Sequence, residues 1–168
     1  MAIYPIIQLP DECLRAVTAP ITNFDEALQK LIDDMFDTMY AAKGIGLAAP
    51  QIAISKKIAV IDVSNNKSET WCLINPVIVE RKGEALMEEG CLSVPGVYDK
   101  VPRALRVKLQ ALDRYGKPYE IETEDLLAHC IQHEVDHLNG TLFLDHLSPL
   151  KRQLARKKLE KIKKRGQS

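Results

Sequence analysis

No stretch of this sequence stays apolar long enough to span a bilayer. Its first residues, Met1-Ala2-Ile3-Tyr4-Pro5-Ile6-Ile7, have neither a basic leader nor a small-residue cleavage site. Those absences argue against a membrane or exported protein and make the cytoplasm the expected location. Cysteine is scarce, with four at positions 13, 72, 91 and 130 in no tight pairing pattern. Without export these are expected to be thiols or metal ligands rather than disulfides. Net charge is missing too, because 23 basic residues balance 23 acidic ones. The balance hides an asymmetry. Nine of the basic residues and one acid fall in 151–168, a net of +8, which leaves 14 against 22 over the first 150, a net of −8. A tail of that kind either meets nucleic acid or another anionic surface, or is a solvated helix. With no repeat and no linker, one domain over 1–168 is expected, long enough to bury a core.

What is present concentrates in His133-Glu134-Val135-Asp136-His137, an H-E-x-x-H sequence within an apolar-periodic run from Leu126 to Leu138. On a helix, residues four apart share a face, so both imidazoles can bind one ion with the Glu beside its open position. Leu126, Leu127, Cys130, Ile131, Val135 and Leu138 form an adjoining stripe that turns this face inward. The bland alternative is a pair of helical histidines satisfied on a surface or in a core.

Around that helix the chain reads as follows. Pro10-Asp11-Glu12 opens a turn, and Phe24 to Lys43 is the first long helix, capped by Asn23 and ended at Gly44. Gly44-Ile45-Gly46-Leu47-Ala48-Ala49-Pro50-Gln51 reads as a tight loop whose glycines permit close backbone approach. It fails as a phosphate loop, because no Lys-Ser/Thr follows. Strands are expected at Ile58–Val63, Trp71–Asn75 and Val77–Glu80 with a break at Pro76, then Ala85–Glu88, Leu105–Leu112 and Tyr119–Glu122. Ser64-Asn65-Asn66-Lys67-Ser68 and Asp113-Arg114-Tyr115-Gly116 are turns. Glu124 or Asp125 caps the H-E-x-x-H helix, and Asn139-Gly140 ends it. A last helix, Ser148 to Arg165, has Leu147, Leu150, Leu154, Leu159 and Ile162 as its apolar side. This order argues α+β, with mainly antiparallel strands around the central H-E-x-x-H helix, a long N-terminal helix and a C-terminal helix.

Two histidines leave a zinc-type site one ligand short. His129 lies about 40° behind His133 on the helical wheel, away from the stripe. Cys91 is the best candidate: glycine precedes it, a strand leads to it, and a proline-stiffened turn follows.

Gly44 to Gln51, Glu89 to Ser93 and Gln132 to His137 resemble the three signature motifs of the peptide deformylases, in the family's order and spacing. The resemblance covers nearly the whole chain and includes the basic C-terminal helix of one bacterial subtype. A zincin protease, by contrast, commonly takes its third ligand downstream. The resemblance implies a divalent metal held by Cys91, His133 and His137, ferrous iron in the cell, with Ni2+, Co2+ or Zn2+ able to substitute. It implies Glu134 as general base, and Gln51 with the backbone N–H of Leu92 as oxyanion donors. Gly44, Ile45 and Gly46 would bind an extended peptide, and Ile45, Met87, Leu92, Leu126, His129 and Cys130 its methionine. His129 stands where an aliphatic residue is common, and is expected at a solvent-accessible rim. Glu89 and Arg103 would form an ion pair fixing the Cys91 loop, and Asp136 would orient an imidazole or make a surface contact. The implied substrate is the N-formylmethionyl nascent chain and the product formate, with a monomeric enzyme docking on the ribosome through its basic helix. A peptidase on the same centre and a non-catalytic ribosome factor are the competing readings. Intact Gln51, Cys91, Glu134, His133 and His137 count against the second, since binding needs no general base.

Overall fold

The computed structural model describes residues 3–9, 11–64 and 67–166. Pro10 and Asn65-Asn66, expected in turns, lie outside the described residues. A 3-10 turn at Glu12–Arg15 comes first, then α1, Glu26–Ala41. Its cap is Asp25 rather than Asn23, because the Asp25 carboxylate accepts the Leu28 N–H at 3.0 Å. At the other end Lys43, not Gly44, takes the left-handed turn at φ 58°. The N–H groups of Lys43 and Gly44 return to the carbonyls of Tyr40 and Met39 at 3.0 and 2.9 Å, closing the helix. Gly44 is glycine for a different reason: a Cβ there would lie 2.9 Å from Leu92 Cδ1.

The stretch read as a loop contains β1, Gly46–Ala48, followed by a 3-10 turn at Ala49–Ile52. Next come β2, Ile58–Asp62, and β3, Thr70–Lys82. The expected break at Pro76 is a bulge inside one strand. Register shifts between Ile74 and Val77, and Asn75 takes φ 49° while its amide bonds both backbone groups of Ile21 at 2.9 Å. A bulge is where a strand tolerates proline's missing donor. Then follow β4, Ala85–Cys91, and β5, Val94–Arg103, a strand the sequence pattern did not reveal. β6 is Arg106–Leu112 and β7 is Pro118–Glu124, joined by a turn with Gly116 at φ 85°. α2, Asp125–Leu138, carries the H-E-x-x-H residues, and Gly140 ends it at φ 75°. A 3-10 turn at Phe143–His146 leads to α3, Pro149–Gly166.

Five strands form one antiparallel sheet in the order β1-β2-β3-β6-β7, and β4 pairs with β5 in a separate hairpin. β2 is buried on both faces. Its Ile58 and Val60 pack with Ile32, Met35 and Met39 of α1, and its Ala59 and Ile61 with Ala128, Ile131 and Val135 of α2. The α2 helix is thus clamped against the sheet along its apolar stripe. Leu126 departs from that stripe and stands 42% exposed. α3 also turns differently from expectation. Ala155 and Leu159 pack on Val94, Val97 and Val101 of β5, while Leu150 and Leu154 are 67% and 57% exposed.

Candidate metal centre and substrate cleft

α2 sets His133 and His137 one turn apart, and the β4–β5 hairpin brings Cys91, the last residue of β4, against them. Cys91 Sγ is 3.3 Å from His137 Nε2, which is 3.2 Å from His133 Nε2. All three donor atoms lie within 4.8 Å of one another. Tetrahedral bonds of about 2.0–2.3 Å place neighbouring donors roughly 3.3–3.8 Å apart. The set therefore fits one ion and leaves a corner open.

The carboxylate behind His133 is Glu89, not Asp136: Glu89 Oε1 is 2.7 Å from His133 Nδ1. A carboxylate there fixes the ring's orientation and tautomer. Arg103 holds Glu89 in turn, donating from Nε at 2.7 Å and from Nη2 at 2.9 Å, so the expected ion pair is present. Asp136 sits one step further out, accepting from Arg103 Nη1 at 2.5 Å. Burial alone would raise the Glu89 carboxyl, but hydrogen bonds with Arg103, His129 and His133 hold it well below the usual range. Burial likewise pulls the His133 imidazole down, yet bonds to Cys91 and Glu89 outweigh it and lift the pKa to about 10. Burial leaves His137 well below the ordinary imidazole value. An ion held there would have to displace the His133 proton.

Glu134 is 2% exposed, and its Oε2 has no hydrogen-bond partner among the described residues. Burial pushes its carboxyl up to about 7. It can sit there because Gly46 has no side chain: a Cβ at Gly46 would lie 3.0 Å from Glu134 Oε2. Gln51 is also buried. Its Oε1 accepts the Ala48 N–H at 2.9 Å, and its Nε2 lies 3.3 Å from Ser93 Oγ and 3.6 Å from Cys91 Sγ.

A cavity of about 320 Å³ opens beside these groups. Gly44, Ile45 and Gly46 form one wall, Met87 and Leu92 another, and Leu126, His129 and Cys130 the α2 side. Every residue expected at the substrate therefore lines one cavity. His129 is not at a solvent-accessible rim. It is 6% exposed, with Nε2 2.6 Å from Glu89 Oε2, because the buried carboxylate draws the ring inward. Burial pushes the Cys130 thiol up to about 12, which makes it a wall and not a nucleophile. Sequence reasoning missed Tyr98, which lines the cavity from β5 and lies where a Gly90 Cβ would fall. Recognising β5 as the partner of β4 would have placed it. Also missed was His146, whose Nε2 is 2.9 Å from Asp136 Oδ2. No local pattern marks that contact.

Two imidazoles and a thiolate around one open corner, with a titratable buried carboxyl beside it, are the parts a metal-dependent hydrolase needs. The polypeptide deformylase family model matches residues 3–153. A peptide deformylase of Chromobacterium violaceum is 55% identical over 166 residues, 99% of each chain. The crystal structure of a peptide deformylase from Legionella pneumophila aligns with a TM-score of 0.94 at 59% identity, covering 97% of this chain and 96% of that one. One from Synechococcus elongatus, in complex with actinonin, aligns at 0.89 and 41% identity, covering 92% and 86%. The chain belongs to the peptide deformylase family: it removes the formyl group from the N-terminal formylmethionine of nascent polypeptides and releases formate.

Proposed function

We propose that Cys91, His133 and His137 hold the divalent metal, ferrous iron in the cell with nickel, cobalt or zinc able to replace it, and that Glu134 moves the proton. The observation that carries this reading is Glu134 Oε2, buried without a hydrogen-bond partner among the described residues beside three converging donors. A thiolate with two imidazoles suits such ions. When bound, the ion supplies Lewis acidity and makes water more acidic. Glu134 takes a proton from the attacking water and hands it to the leaving amine, and a carboxyl near pKa 7 serves both directions. Gln51 Nε2 and the Leu92 N–H donate to the formyl oxygen as it gains charge. Bonds from Ala48 and to Ser93 hold the Gln51 amide ready before substrate arrives.

β1 is an edge strand of the five-stranded sheet. The backbone of Gly44, Ile45 and Gly46 accepts an extended peptide as an added strand, which reads main chain rather than side chains. That suits an enzyme whose substrates share only their first residue. The methionine side chain lies among Ile45, Met87, Leu92, Leu126 and Cys130, with His129 behind them against Glu89. The protein works in the cytoplasm as a monomer of one domain, docking on the ribosome through basic α3, whose exposed Leu150 and Leu154 add apolar contact.

Anaerobically purified protein is expected to carry iron and to release formate from formyl-Met-Ala while leaving acetyl-Met-Ala and internal peptide bonds intact. Cys91→Ser should lose most metal and most activity, since a hydroxyl replaces a soft thiolate poorly. Cys13→Ser and Cys72→Ser should lose neither. Full metal occupancy with normal turnover in the Cys91 variant would move the third ligand elsewhere.

A further inference from the structure

We infer that His146 is a positioning residue for the metal centre, acting on His133 through Asp136, Arg103 and Glu89. The path is continuous. His146 Nε2 is 2.9 Å from Asp136 Oδ2, and the same oxygen accepts from Arg103 Nη1 at 2.5 Å. The other two nitrogens of Arg103 grip Glu89, whose Oε1 meets His133 Nδ1 at 2.7 Å. His146 Nε2 also lies 3.3 Å from Arg103 Nη1. A single nitrogen cannot donate to one and accept from the other, and the shorter contact decides: Nε2 carries the hydrogen and donates to Asp136.

The topology gives this contact its purpose. Arg103 braces β4, which carries Cys91 two residues beyond Glu89, against α2, which carries both imidazoles. Among the described residues its bond to Asp136 alone ties the guanidinium to α2, and His146 holds that same carboxylate oxygen from the 3-10 turn. The 3-10 turn bearing His146 touches the centre a second time, since the Phe143 ring stacks on the His133 ring at 6.4 Å. Arg15 and Asp145 pin the turn from outside at 2.5 Å. One short turn thus sets a ligand ring both by packing and through a chain of charge-assisted bonds.

The inference rests on Cys91, His133 and His137 being the ligands, and the test separates the two. Co2+ is titrated into metal-free full-length wild type, His146→Leu and His146→Gln, following the visible Co2+ bands and the thiolate-to-cobalt band. A glutamine amide can still donate to Asp136, whereas leucine cannot. The Leu variant should bind Co2+ roughly 3–10-fold more weakly with shifted bands, below the ~10–100-fold typical of direct partners of ligands. The Gln variant should restore both. If Leu does not fold, His146→Asn, too short to reach, replaces it. Unchanged Co2+ affinity and spectrum in the donor-less variant would overturn the inference, as would equal defects in Leu and Gln. A wild type without a thiolate-to-cobalt band would instead overturn the ligand set.

Discussion

Gly46 and Glu134 share one volume, and that fact ties a backbone residue to the chemistry. Alanine at Gly46 is free of backbone strain but puts a methyl 3.0 Å from Glu134 Oε2, so the carboxylate must shift. Since a displacement near 1 Å can cost ~10²-fold, Gly46→Ala should lower kcat/KM for formyl-Met-Ala by roughly 10–100-fold. Its melting temperature should stay near wild type. Unchanged kcat/KM would mean that the position of Glu134 is not critical. Glu89 invites a different experiment. Its folded pKa is depressed, so its contribution is present above the unfolded value and is lost as pH falls through the folded one. Metal-free wild type should therefore lose stability on acidification below about 4.3, the unfolded Glu value, and Glu89→Gln should show a flatter acid limb. At pH 7 that variant leaves Arg103 short of a buried partner, a loss of up to ~3–5 kcal/mol. Parallel acid limbs in thermal melts from pH 6 to 3 would contradict this. At this scale the candidate site residues were legible because H-E-x-x-H and the two other motifs are local in sequence, and the fold gathers them at one cavity. His129 was misplaced because its partner, Glu89, lies 40 residues away and no helical wheel shows it.

Helices were legible as elements because their apolar spacing is regular, and α1 and α2 fall within two residues of the expected bounds. The short pieces were not. β1 has three residues and owes its extended form to pairing with β2. β5 holds two prolines and a glycine and is a strand only through β4. That hairpin carries Cys91, so its candidacy as a ligand came from its chemistry and not from its element. α3 shows how tertiary packing overrides a periodic reading. Ala155 and Leu159 face β5, so cutting the helix away would expose the cluster around Val97 and Val101. Charge reversal is therefore the cleaner probe of docking. Lys157→Glu, Lys158→Glu and Lys161→Glu together, all on exposed positions, should leave formate release from a short peptide intact. Co-sedimentation with ribosomes should fall sharply and depend less on salt. Equal binding by wild type and the triple variant would leave α3 as a solvated helix that closes the fold.

The whole molecule is arranged to bring two separately built pieces to one point. The five-stranded sheet and α1 support α2, which presents the imidazoles and Glu134, while the β4–β5 hairpin, held by α3, presents Cys91. Arg103 joins the pieces through Glu89 and Asp136. The α+β class was legible from element order, but the split into a sheet and a separate hairpin was not, because pairing partners far apart in sequence leave no periodic trace. The central claim is that Glu134 moves the proton while other residues hold the metal. The most direct measurement is the rate of formate release from formyl-Met-Ala by Glu134→Gln at full metal occupancy. The ligands are untouched, so the variant should load like wild type and release formate ~10²–10⁴-fold more slowly. Near-normal turnover at full occupancy would contradict it.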